Sequence, residues 1–131
     1  MKKFYVLIVA CLASVTVLHA QNRFWVGPSG GNWNDINNWS ATSGGAGGQS
    51  VPNGAGFNVT FDQNALVNVD LDAISLNTLT VTNSVTAQLV VTTSGSGLPT
   101  ITLLSTSLVT PGLRIDAGSR LEDSVATNGI T

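Results

Sequence analysis

The chain has 131 residues and a formal charge of −2, and only 9% of its residues are charged, against roughly 25% in an average soluble domain. Its single Cys, His, Met and Tyr and both Lys lie within the first twenty residues; beyond them three Arg face seven carboxylates, and Gly, Ser, Thr and Asn make up nearly half of the chain. Residues 21–131 therefore exclude a disulfide framework, a thiolate or imidazole metal site, a Ser-His-Asp or Cys-His nucleophile and a basic face for nucleic acid, and no cofactor is expected.

Lys2 and Lys3 open the chain, and Phe4 to Leu18 follows without a charge. Leu18-His19-Ala20 ends this run before the polar Gln21-Asn22-Arg23, the layout of a secretory signal peptide cleaved after Ala20. As a helix the run spans about 22 Å at ~1.5 Å per residue. A bilayer core of roughly 30 Å is longer than that, so membrane contact is expected only through the transient signal. A retained anchor is one alternative. A lipoprotein signal is the other, because Ile8-Val9-Ala10-Cys11 loosely resembles a lipobox, although the apolar run continues past Cys11.

Residues 21–57 are irregular in pattern and carry Trp25, Trp33 and Trp39. Ser43 to Ser50 reads as a flexible loop by composition, and Val51-Pro52-Asn53-Gly54 as a turn. From Asn58 the pattern becomes period-2. Val59 and Phe61 alternate with polar residues, as do Val67, Val69 and Leu71, then Leu79 and Val81, then Ala87, Leu89 and Val91. Ile101 and Leu103, and Leu113 and Ile115, continue it. Turn clusters separate these runs at Gln63-Asn64, Asn83-Ser84, Ser94 to Gly97, Pro111-Gly112 and Ala117-Gly118-Ser119.

This predicts an all-β fold of short strands, with a two-strand unit of about 21 residues. A short parallel β-solenoid (β-helix) under an irregular Trp/Gly-rich cap fits best, because no aromatic residue follows Phe61 to fill the thicker core of a sandwich. A β-sandwich is the alternative. The expected organisation is a signal peptide over 1–20, a cap and loop over 21–57 and a strand-repeat region over 58–131. That region holds only some three units, so the chain is expected to be the first part of a longer protein.

Phe24-Trp25-Val26-Gly27, then Gly31-Asn32-Trp33-Asn34-Asp35-Ile36-Asn37-Asn38-Trp39-Ser40, then Pro52 to Asp62 form a series that resembles the start of large secreted bacterial surface proteins. Their "GNW-x-D-x-x-NWS" box is followed by a Gly-rich loop and a "V-x-F-D" strand, matched here by Val59 to Asp62. Leu113 to Leu121 is similar to their "L-x-I-x-x-G-x-x-L" coil. The resemblance is to adhesin-like proteins with autotransporter-associated β-strand repeats, many of them exported by the type IX system. It implies a secreted or cell-surface protein without catalysis, with glycans or cell-surface polymers as partners. Two features depart from that pattern: Gly56-Phe57 replaces the acidic residue before the strand, and no C-terminal sorting domain is present.

The three Trp are candidates either for glycan stacking or for covering an open core cross-section. Asp70 and Asp72, two apart on a predicted strand, project from one face about 7 Å apart at ~3.3 Å per residue. That spacing suits a glycosidase pair, but exposure argues against catalysis, and a weak calcium site with a third carboxylate is the remaining metal reading. Asn38-Trp39-Ser40 and Asn58-Val59-Thr60 fit the N-glycosylation pattern, and Asp123-Ser124-Val125 resembles a short bacterial O-glycosylation signal. The alternative function is a carbohydrate-binding β-domain that begins a secreted polysaccharide-degrading enzyme.

Overall fold

The computed structural model describes residues 20–91, 99–105 and 112–125. Among them the chain is all-β. Its strands are β1 (Gln21–Trp25), β2 (Gly31–Asn32), β3 (Trp39–Ser40), β4 (Phe57–Phe61), β5 (Ala65–Val69), β6 (Ala73–Leu76), β7 (Thr78–Val81), β8 (Thr86–Val91), β9 (Thr100–Leu103), β10 (Leu113–Ile115) and β11 (Arg120–Val125). One 3₁₀ turn, Ile36–Asn38, precedes β3.

The strands form three sheets. The first has the order β10-β7-β4-β1-β3, the second β11-β8-β5-β2, and the third pairs β6 with β9. Every neighbouring pair is parallel except β1 with β3. Strands consecutive in sequence therefore enter different sheets: β4, β5 and β6 visit the three in turn, and β7, β8 and β9 repeat the order.

Parallel register aligns like residues into columns. Val59 lies beside Leu79 and Leu79 beside Leu113; Phe61, Val81 and Ile115 follow the same line. In the third sheet Ile74 meets Ile101 and Leu76 meets Leu103. The inner columns merge with the three Trp into one core cluster, in which Val59, Phe61, Val67, Leu76 and Val81 are fully buried. Burying a side chain of this size contributes about 1.5–3 kcal/mol. Among the described strands the columns finish differently. Leu113 and Ile115 are 44% and 45% exposed. In the second sheet the column Val67, Leu89 ends in a carboxylate, Asp123.

Polar positions also stack. Asn58 accepts hydrogen bonds at Oδ1 from Asn77 Nδ2 (2.8 Å) and Thr78 Oγ1 (3.0 Å), and donates from Nδ2 to Asn22 Oδ1 (3.2 Å). Asn68 donates to Gly30 O (2.7 Å) and Asn32 Oδ1 (3.3 Å). Stacked side-chain amides use the donors and acceptors that a strand's outer face would otherwise leave to water. Turns stack as well: Asn83 and Ser84 take left-handed φ of 62° and 57° between β7 and β8, and Gly118 takes 79° between β10 and β11. A Cβ on Gly118 would lie 2.9 Å from Ser84 Oγ, so glycine is needed where one turn passes over the other.

Three expectations are corrected. Residues 21–57 are not irregular throughout: β1 pairs with β4 and β2 with β5, so they supply a layer of both larger sheets. The predicted two-strand unit has three strands, because β6 (Ala73–Leu76) lies between the alternating run that ends at Leu71 and the one that includes Leu79. Most importantly, β5 ends at Val69, so Asp70 and Asp72 sit in a corner rather than on a strand, and the strand-face geometry inferred for them does not exist. Leu71, in the same corner, packs partly buried against the core. The predicted turns at Ser94 to Gly97 and at Pro111 lie outside the described residues.

Candidate functional site: the tryptophan-closed end

β1 delivers Trp25 to the core, and its antiparallel partner β3 begins at Trp39, directly opposite. Trp33 follows β2, with its backbone N–H on Asn68 O (2.8 Å). Trp39 lies six positions after Trp33, and a tight reversal fills the five residues between them. Asp35 Oδ1 caps the 3₁₀ turn by accepting from Asn37 N (2.9 Å), and Asn38 donates from Nδ2 to Asn32 O (2.9 Å). The reversal brings the Trp33 and Trp39 rings to 4.7 Å between centroids at 64°, and the Trp25 and Trp39 rings to 5.1 Å at 81°. Both are edge-on pairs, the arrangement favoured by the ring quadrupole. Phe61 sits 6.3 Å from all three rings.

Each Trp is buried, with 1% exposure at Trp25 and none at Trp33 or Trp39. No ring face is open to a sugar, which corrects the stacking-platform expectation. The indole N–H groups are used internally: Trp33 Nε1 donates to Pro52 O (3.1 Å) and Trp39 Nε1 to Trp33 O (2.7 Å). Trp25 Nε1 is buried without a hydrogen-bond partner among the described residues.

The glycine-rich loop is docked along the box. Gly48 N donates to Ile36 O (2.9 Å) and Gln49 N to Trp39 O (3.1 Å). A Cβ on Gly47 would collide with the carbonyl of Asn37, so this approach requires glycine. The loop ends at Ser50 beside Arg23, which sequence reasoning missed. Arg23 stands at an inward position of β1, beside Val59, and is only 6% exposed. Its guanidinium donates to Ser50 O (2.9 Å), Ser50 Oγ (2.5 Å), Asn22 O (2.8 Å) and Gln21 Oε1 (2.8 Å), and lies 5.1 Å over the Phe57 ring. Burial lowers its pKa from the ordinary value, but an arginine still keeps its charge. An inward charge at a position where Val59 and Leu79 follow is the signal that could have marked it.

The structure separates the two aspartates in role. Asp70 Oδ1 accepts from the backbone N–H of Asn34 (2.9 Å), which ties the β5 corner to the Trp box, while Asp72 is exposed. Among the described residues no group of three or more His, Cys, Asp or Glu is placed to hold a metal ion. The Asn38 sequon is closed by burial at 5% exposure, and the Ser124 side chain falls outside the described part. At the other end of the column lies an apolar cavity of about 280 Å³, between Val69, Leu89, Val91, Ile101 and Leu121, with Asp123 in its wall.

No family of known proteins matches the chain, and neither a curated protein nor a solved structure shows significant similarity to it.

Proposed function

We propose that this chain is the closed beginning of a parallel β-solenoid, exported to the cell surface or beyond, with a structural or adhesive role and no catalysis of its own. The observation that carries this reading is the repeated visiting order of the three sheets, with in-register parallel pairing from one visit to the next. Sandwiches are built on antiparallel pairs, and here antiparallel pairing occurs among the described strands only where β3 covers β1. At that end the three buried Trp fill the cross-section, as a cap on a stack of short Val, Leu and Ile columns would. The export segment over 1–20 and the Thr/Asn-rich outer face suit a stalk that meets glycans or surface polymers along its length.

The carbohydrate-module alternative needs an exposed aromatic platform, and the tryptophans do not provide one. The deciding experiment has two parts. Epitope-tagged full-length chain is expected in the outer fraction of intact cells, sensitive to external protease, and the secreted form is expected to give no hydrolysis of polysaccharides. Retention inside the cell, or polysaccharide cleavage lost on mutation of a carboxylate, would overturn the proposal. A glycan array of the same protein separates a stalk from a discrete carbohydrate site, which would show as tight binding to one glycan class.

A further inference from the structure

Among the described residues the third sheet has no strand in the layer where β1 and β2 begin the other two. Its first strand, β6, would be left with bare edge groups. Asn53 and Gly54 fill that gap. Asn53 Oδ1 accepts from Ser75 N (2.9 Å), Asn53 Nδ2 donates to Ala73 O (3.2 Å), and Gly54 N donates to Ser75 O (2.6 Å). One side-chain amide thus does the work of a peptide group, and the strap leading to it places Pro52 O on Trp33 Nε1. Gly54 holds φ of +153°, a conformation that favours glycine.

Asn-Gly is also the dipeptide in which the following nitrogen reaches the side-chain carbon with least hindrance, since glycine has no Cβ. We propose that Asn53–Gly54 is a deamidation site held closed by its strand-edge role, and that its conversion releases the edge of β6. In the reaction the Gly54 nitrogen, losing its proton to solvent, bonds to Asn53 Cγ. The Cγ–Nδ2 bond breaks and ammonia leaves. Water then opens the resulting succinimide at either carbonyl, giving Asp or isoaspartate. In the folded chain both partners are held elsewhere: the nitrogen points its hydrogen at Ser75 O, and the amide is fixed at both ends against β6. After conversion, a carboxylate oxygen faces Ala73 O where a donor stood, or the added backbone carbon shifts Gly54 N off Ser75.

The test is peptide mapping by mass spectrometry on the full chain. In concentrated urea, Asn53–Gly54 and the chain's other Asn-Gly pair, Asn128–Gly129, are expected to deamidate at matching rates, which calibrates the unrestrained dipeptide. In the folded protein, Asn53 is expected to react at least roughly tenfold more slowly than in urea, because reaction must wait for local opening. Equal rates in the two states would overturn the closed-site proposal. For the consequence, Asn53→Asp is expected to lower the thermal midpoint by roughly 4–8 °C at neutral pH, as losing one hydrogen bond does in a domain of this size. The deficit relative to the parent should shrink as pH falls through the ordinary Asp range near ~4, where a protonated carboxyl again offers a donor to Ala73 O. A variant as stable as the parent at neutral pH, or a deficit independent of pH, would overturn the link to β6.

Discussion

Trp39 donates its indole hydrogen to the backbone carbonyl of Trp33 over 2.7 Å, in the core and with no exposed surface on either ring. The bond explains the six-residue spacing in the box. Asp35 and Asn38 fold the intervening turn back so that the second indole reaches the chain where the first leaves it. Trp25 differs, because its buried indole N–H has no partner among the described residues. Replacing Trp39 with Phe should therefore strand the Trp33 carbonyl and cost about 1–3 kcal/mol beyond the lost volume. Trp25→Phe removes an unsatisfied donor and should cost clearly less. Chemical denaturation of the two variants gives the comparison, and equal losses would contradict it. Trp33→Ala, which opens a cavity, should cost about 3–5 kcal/mol.

Asn58 joins three layers through one amide, touching Asn22, Asn77 and Thr78. Asn58→Ala should destabilise by about 1–3 kcal/mol, because the neighbouring amides lose partners in a half-buried row. Thermal unfolding of this variant should show a fall in midpoint; an unchanged midpoint would mean that water replaces the amide row at no cost.

Gly47 passes so close to the Asn37 carbonyl that a methyl group has no room. Gly47→Ala should push the loop off the box, breaking the Gly48–Ile36 and Gln49–Trp39 bonds. The expected cost is about 1–3 kcal/mol, with faster amide exchange at Gly48 and Gln49 as the specific signature.

The Thr82 hydroxyl, donating to Oδ2 at 2.6 Å, holds the Asp116 carboxyl below the ordinary Asp range, with Arg114 Nε at 2.7 Å from Oδ1 as the lesser cause. A carboxyl whose pKa is lowered by folding adds stability above its unfolded value of about 3.9, and that stability is lost as pH falls through the folded value. Stability should thus drop on acidification below ~4 more steeply in the parent than in Thr82→Val. Matching acid profiles would refute the assignment.

Strands β4, β7, β8, β9 and β10 were legible because their inner residues alternate, and each falls within a residue of its alternating run. What failed was the corner. Asp70-Leu71-Asp72 continues the alternation of β5 perfectly, and nothing local says that Leu71 turns a corner instead of extending a strand. What accompanies the corner is tertiary: Asp70 accepts from the backbone N–H of Asn34, a residue far away in sequence. The same blindness concealed β1 and β2. Their sequences lack alternation because Arg23 occupies an inward position and β2 is only two residues long, so only pairing with β4 and β5 reveals them. The tryptophan box was readable as a unit, but burial, which decides between a binding platform and a covering, was not.

Arg23 and Asp123 have something in common: each places a formal charge in an inward column, one on the first strand and one on the last described strand. Stacked parallel strands in register present the same geometry as an amyloid seed, and a protein built this way risks recruiting copies of itself. A charge aimed inward makes the next addition costly, since an incoming strand would have to bury it. Arg23 spends its donors on the loop, whereas Asp123 is exposed among the described residues. Asp123→Leu removes that charge from the column and should raise the tendency to form concentration-dependent, thioflavin-positive fibres above that of the parent; equal tendencies would refute the role given to the charge.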